Sequence, residues 1–174
     1  MSVVVLRPVE TTDLDAIFEQ MRDPESVRMA AFTAKDPSDR SRFDAHMKMI
    51  MSSRDNTLRA VTSDELFVGT IGSYISDGVT EVTYWIDRAY WGQGVASRAL
   101  ALFLEEVPVR PLRARAASDN AGSLRVLHKG RLPDTGDRIG IRSRAGQRDR
   151  GDDSPAALSG DRWWAVNPTP PAPR

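Results

Sequence analysis

The stretch YWIDRAYWGQGVASRALALFLEE, residues 84–106, decides the fold. It passes from an extended segment through a turn containing Gly92 and Gly94 into an apolar-periodic helix over 94–106. Glycine has no Cβ, so the backbone there can bend tightly and approach a ligand. A helix beginning at that turn leaves its first amide groups unpaired and carries partial positive charge at that end. Together these features make a cradle of backbone donors for a phosphate or pyrophosphate. Small residues Ala96 and Ser97 keep the first helical turn open to it. Arg98 either adds charge to a phosphate or is a solvated surface residue. A plain strand-to-helix turn is the alternative reading of the two glycines.

The surroundings exclude two better-known phosphate motifs. A dinucleotide fingerprint needs a third glycine, a first strand–helix unit and an acidic residue about 20 positions further on. Here the turn follows the fourth extended segment, and Glu105 and Glu106 lie on the helix itself. A P-loop needs Lys followed by Ser or Thr after the second glycine; Val95 and Ala96 stand there.

Working outward, VVVLRPVE alternates and reads as a strand. TTDLDAIFEQMRD reads as a helix, capped by Thr12 or Asp13, striped by Leu14, Ile17, Phe18 and Met21, and ended by Pro24. DPSDRSRFDAHMKMIMSS is a second helix with Phe43, Met47, Ile50 and Met51 at helical spacing, a packing face rather than a cofactor box. TLRAVTS, LFVGTIGSYIS and VTEVTYWID follow as a meander turning at Asp64-Glu65 and at Asp77-Gly78. Beyond the glycine turn, LRARAAS reads as a strand, and DNAGSLRVLHK as a helix capped near Asp119 or Asn120. The order β-α-α-β-β-β-α-β-α is mixed α/β, and 174 residues are long enough for one domain and too short for two ordinary ones.

Composition narrows the function classes. The chain carries 24 basic and 24 acidic residues, so no overall basic field points to nucleic acid or to a membrane surface. No run approaches the roughly 18 apolar residues of a membrane span, and a cytoplasmic setting is the default. Cysteine is absent, which excludes a Cys-bound covalent intermediate and Cys-ligated metals. His46 and His128 are the only histidines, too few for a His-based metal site.

The segment EVTYWIDRAYWGQGVASRAL resembles motif A of the GCN5-related N-acetyltransferases (GNAT). Its E-x-x-YW-I-D strand and YWG-x-G-x-A turn resemble the branch containing the ribosomal-protein-alanine N-acetyltransferases. DNAGSLRVLHK resembles the family's Asn-x-x-Ser segment, and the opening LRPVETTDLDAIFEQM is also typical; the resemblance covers residues 3–129. It implies a mixed, mostly antiparallel central sheet flanked by helices, with the last strands missing or altered. It implies acetyl-CoA as substrate, a primary amine as acceptor, direct attack in a ternary complex, and no metal; a homodimer is a candidate assembly. Tyr84, Trp85 and Ile86 would lie on a strand that splays from its neighbour and offers its backbone to the pantetheine amides. Gly92, Gln93, Gly94, Val95, Ala96 and Ser97 would hold the pyrophosphate. Asn120 would bond the pantetheine arm, or serve as a plain helix cap, and Ser123 would lie near the thioester sulfur. The family's general-acid Tyr, seven residues after this Asn, is replaced by Leu127, which leaves Ser123 as candidate proton donor. Glu81 is the candidate base for the acceptor ammonium, with a solvated strand residue as its alternative; His128 is second. The Ile86 N–H would polarise the acetyl carbonyl.

After Lys129 the resemblance stops. The family pattern continues with x-Gly-Phe and two strands, whereas only seven of the 45 residues from Gly130 are Val, Ile, Leu, Met, Phe, Tyr or Trp. Such a segment buries too little surface to offset its ordering entropy, so residues 1–129 read as the acetyltransferase domain and 130–174 as a disordered or loosely docked tail. Gly-Arg-Leu-Pro-Asp written GGC CGG CTT CCG GAT becomes Ala-Gly-Phe-Arg when its first base is dropped. The same frame turns Arg150 to Leu158 into a strand-like Glu-Glu-Thr-Thr-Leu-Leu-Arg-Leu followed by a stop. A frameshift after Lys129 accounts for both. A catalytically impaired acyl-CoA-binding remnant is therefore the second functional reading.

Overall fold

Among the described residues five strands pair with their neighbours in chain order: β1 (Val4–Pro8), β2 (Thr57–Ser63), β3 (Leu66–Ser76), β4 (Val79–Ile86) and β5 (Leu112–Ala114), the first four rich in β-branched or aromatic residues. The first four are antiparallel neighbours, and β5 joins β4 in parallel. The computed structural model describes residues 2–132, apart from 31–33, 35, 77 and 117–119. The tail beyond 132, where the sequence departs from the family pattern, Asp77 of the second turn and Asp119 as a helix cap lie outside the described residues. The β2–β3 turn takes Asp64 and Glu65 to φ 50° and 68°, the left-handed pair that matches the twist of a two-residue hairpin. Asp64 also fastens the outer strand, accepting the Val3 N–H at 2.8 Å.

Among the described residues five α-helices flank the sheet: α1 (Leu14–Arg22), α2 (Pro24–Met29), α3 (Arg40–Ser52), α4 (Val95–Glu106) and α5 (Ala121–Lys129). Side chains alternate across a strand, so the sheet has two apolar faces. One face, with Val61, Val68, Ile71, Val82 and Ile86, packs against Val95, Ala99, Leu100 and Phe103 of α4 and Leu127 of α5. A second cluster joins Ile17, Phe18 and Met21 of α1 to Phe43, Met47 and Ile50 of α3, over Leu58, Phe67 and Trp85. The Phe18 and Phe43 rings meet at 5.2 Å. Met51, which shares the helical spacing, instead points outward and is 43% exposed.

Three local expectations change. Pro24 does more than end a helix: the Asp23 carboxylate accepts the Ser26 N–H at 2.9 Å, and α2 begins at the proline. Proline suits a first helical position because its missing N–H would be unpaired there anyway. Of the strand expected over 112–118, Leu112–Ala114 pairs, Arg115 and Ala116 do not, and residues 117 and 118 lie outside the described ones. Asp13 is not the side-chain cap of α1. It is a buried anion that receives Arg7 at 2.7 and 2.8 Å and the Glu10 N–H at 2.8 Å, which pins β1 to the start of α1. The Arg7 guanidinium holds the Asp13 carboxyl below the usual carboxylate range.

His46 sits half-buried on α3, with Nε2 shut from solvent and without a partner. Burial disfavours the imidazolium and pushes its pKa down to about 4. Between that value and the ordinary 6.5, the unfolded chain binds a proton that the folded chain refuses. Stability should therefore fall as pH drops through this window, by on the order of 2 kcal/mol from this group. Urea denaturation at pH 7 and pH 4.5 should show a smaller drop in His46→Gln than in the parent protein.

Candidate active site

The site begins with a mismatch in strand length. The Asp87 N–H bonds to the Val68 carbonyl at 2.8 Å, which fixes the hydrogen-bonding phase of β3 and β4. In that phase Glu81, Thr83 and Trp85 turn their backbone groups to β3, and the residues between them turn theirs to the β5 side. The β4–β5 register ends at Val82↔Ala114, while β4 runs on to Ile86. The amides of Tyr84 and Ile86 therefore face a gap between the two strands. The Ile86 carbonyl accepts the Trp91 indole N–H at 2.7 Å. This gap is the floor of a cleft of about 510 Å³.

The glycine turn forms one wall. Gly92 and Gly94 both lie at φ 77°, a left-handed backbone that glycine adopts without steric cost. A Cβ at Gly92 would meet nothing within 4 Å, and one at Gly94 would meet the Arg98 guanidinium at 3.2 Å. Gly94 is the residue from which α4 starts, so the unpaired amides of that helix open into the cleft beside Val95, Ala96 and Ser97. Gln93 does not line it. Its side chain turns back to the Ala89 carbonyl at 2.7 Å, and its own carbonyl receives Arg98 at 3.0 Å. Arg98 thus braces the turn from behind and is only partly exposed.

The opposite wall is α5. Asn120 caps it, its Oδ1 accepting the Ser123 N–H at 2.9 Å while Nδ2 donates to the Met29 carbonyl at the end of α2, at 3.0 Å. Asn120 and Ser123 both line the cleft, one helical turn apart. The Tyr84 hydroxyl donates to the Ser123 carbonyl at 3.4 Å, and burial pushes the Tyr84 phenol pKa up. The Trp85 side chain leaves the cleft, its indole N–H bonding the Gln20 carbonyl at 3.1 Å, so Trp85 borders the cleft from within the second core. Leu127 is buried in the first core, and His128 is exposed outside the cleft lining.

Glu81 occupies neither solvent nor the cleft surface. It is 4% exposed, and its Oε1 receives Arg115 Nε at 3.0 Å and Nη2 at 2.7 Å. Its Oε2 receives the Tyr74 hydroxyl at 2.8 Å. Tyr74 faces Glu81 directly across the β3–β4 ladder, and both partners of Glu81, Tyr74 and Arg115, line the cleft. The carboxylate is therefore one hydrogen bond behind the surface, reached through Tyr74.

Several lining residues were not singled out from the sequence: Ser26, Met29 and Ala30 from the α2 region, Tyr74 and Arg115, and Arg125 and Lys129 on α5. The charged ones share a sign. No Asp or Glu lines the cleft among the described residues, whereas Arg115, Arg125 and Lys129 do. A cleft of this size, walled by a helix N-terminus and cations, suits an extended anionic ligand. Among the described residues no group of three or more His, Asp and Glu is placed to hold a metal ion, and no helix is long and apolar enough to cross a membrane.

The family model described as Acetyltransferase (GNAT) domain matches residues 4–131. No curated protein matches the chain. Among solved structures, Mycobacterium smegmatis RimJ in complex with CoA-disulfide is similar at TM-score 0.61 and 20% identity, over 72% of this chain and 68% of that one. Aminoglycoside acetyltransferase AAC(6')-Ib in complex with coenzyme A is similar at TM-score 0.58 and 16% identity, over 74% and 83%. Microcin C7 self immunity acetyltransferase MccE in complex with acetyl-CoA and AMP is similar at TM-score 0.60 and 12% identity, over 73% and 77%. At these identities the likeness is one of fold: a five-stranded, mostly antiparallel sheet flanked by helices.

The Glu81 network generates a stability prediction. Arg115→Met strands a buried carboxylate and should destabilise the protein by about 3–5 kcal/mol, whereas adding Glu81→Gln should recover much of that loss. A double-mutant cycle by urea denaturation checks it; independent, additive losses would mean that the pair is not coupled.

Proposed function

The chain belongs to the GNAT acetyltransferase family, and on that premise we propose that it moves an acetyl group from acetyl-CoA to a primary amine, on a protein N-terminus or a small molecule. The observation that carries this reading is the strand β4 outrunning β5 beside a glycine turn at the start of α4. Tyr84 and Ile86 offer strand-like amides to the pantetheine arm, as an added strand would be paired. The turn and first amides of α4 take the pyrophosphate. Asn120 still has a second amide hydrogen beyond the one given to Met29, and that hydrogen is available to the arm.

In the ternary complex the amine nitrogen attacks the thioester carbonyl, the C–N bond forms and the C–S bond breaks. The ammonium proton leaves through the Tyr74 hydroxyl to Glu81, the route that the 2.8 Å contact offers. As the intermediate collapses, its remaining nitrogen-bound proton passes to Ser123, and the Ser123 hydroxyl hands its own proton to the departing thiolate, directly or through water. The Ile86 N–H polarises the carbonyl. YWID and YWG-x-G-x-A place the chain, within this proposal, beside the ribosomal-protein-alanine N-acetyltransferases, and a frameshift after Lys129 remains our account of residues 130–174. The second reading, an acyl-CoA-binding remnant without turnover, is favoured by one feature: Leu127 fills the family's general-acid position and is buried in the core.

Gly94→Val forces a β-branched residue to a left-handed backbone and crowds the turn. CoA affinity measured by calorimetry should fall by roughly tenfold or more in the folded variant. Unchanged affinity in a folded variant would remove the pyrophosphate assignment. Ser123→Ala should lower kcat by a larger factor than it weakens acetyl-CoA binding. Small and equal effects on both would return Ser123 to a structural part, and CoA binding with no acetyl transfer by the parent protein would favour the remnant.

A further inference from the structure

Two cations in the cleft have no use in the reading above. Arg125 and Lys129 lie one turn apart on α5 and both line the cleft. Gly122 lies on the same stripe and leaves it open: a Cβ there would meet only Asn120 Oδ1, at 3.4 Å. Both are exposed, and neither makes an ion pair or a side-chain hydrogen bond among the described residues. Like charges at this spacing repel by about 0.2–0.5 kcal/mol on a helix, and the sequence AGSLRVLHK has no acidic residue to offset them. A cation in the last turn helps a helix through its dipole, which accounts for Lys129. It does not account for Arg125 in the middle of the helix, turned to a cleft that no acidic residue lines among the described residues.

The ligand's charges can be allotted one by one. The pyrophosphate takes the backbone donors of the glycine turn, and Arg115 is already neutralised by Glu81. CoA carries one further anionic group, the phosphomonoester on its ribose, with about two negative charges near neutral pH. We infer that Arg125 and Lys129 together seat the ribose 3′-phosphate of CoA, and so make the protein selective for 3′-phosphorylated CoA over its dephosphorylated form. This rests on the acetyl-CoA reading. A phosphomonoester between a guanidinium and an ammonium gains charge-assisted hydrogen bonds that a bare ribose hydroxyl cannot make.

Calorimetric titration of the full chain with CoA and with 3′-dephospho-CoA tests this. The parent protein should bind CoA at least about tenfold more tightly. Arg125→Gln/Lys129→Gln should lose that difference while keeping the parent's affinity for dephospho-CoA. Arg125→Lys/Lys129→Arg should restore most of the preference, and its advantage should shrink with added salt. Equal affinities of the parent for both ligands would overturn the inference and leave the acetyl-CoA reading standing. An equal loss for both ligands in the Gln variant would assign the two side chains to the pyrophosphate, and would also overturn it. Binding of neither ligand by the parent would sink the inference and the acetyl-CoA reading together.

Discussion

The sheet opens because β5 stops pairing at Ala114 while β4 carries on to Ile86. Backbone amides and carbonyls that face a gap must find partners, and a buried one left alone costs as much as a lost hydrogen bond. The rest of the site can be understood as the consequence. Trp91 closes off the Ile86 carbonyl with its indole N–H. The turn carrying Trp91 then doubles back through two left-handed glycines and presents the start of α4 to the same gap. On the other side α5 is held near by Tyr84 and by its own Asn120 cap. A fifth strand as long as the fourth would fill the cleft and leave nothing for a ligand to pair with.

Charge is arranged on a finer scale than composition reports. The chain is formally neutral, yet the lining of the cleft is cationic among the described residues. The acidic partner that one lining cation requires is set behind the surface: Glu81 neutralises Arg115 from within the sheet and is held by Tyr74. A buried pair of this kind gives little net stability, because removing both charges from water costs about what their attraction returns. It does fix where a guanidinium and a phenol stand relative to the strand. Arg125 and Lys129 are the opposite case, exposed and without an ion pair among the described residues, and cheap to hold only because solvent screens them.

What the sequence made legible follows from which signals are periodic. The alternation in β2, β3 and β4, the two-residue turn at Asp64-Glu65 and the stripes of α1 and α3 appear where their spacing puts them. The mixed architecture, with its sheet flanked by helices, was legible for the same reason. The six residues of α2 are too few to show a stripe, although Asp23 followed by Pro24 is itself a start signal that was read only as a stop. The end of β5 was not legible, because LRARAAS alternates past the point where pairing ceases. At the site, the glycine turn, β4 and the Asn120–Ser123 pair border one cleft, whereas Gln93 and Glu81 do not line it. The Tyr74–Glu81–Arg115 cluster includes a contact between residues 34 positions apart, Glu81 and Arg115, and only the strand register brings them together. Arg125 and Lys129 were not singled out, because four-residue spacing says nothing of which way α5 faces.

Asn120 narrows the paths by which this chain could evolve. One short side chain spends its oxygen on α5 and its nitrogen on α2. Asp keeps the acceptor but has no donor for Met29, and brings a negative charge into a cleft built for anions. Ser or Thr can cap a helix, but a single hydroxyl is too short to span both partners. Ala abandons both groups at once. Each replacement at this position therefore disturbs two helices in one step, and drift in α2 is constrained by a residue ninety-one positions away in sequence.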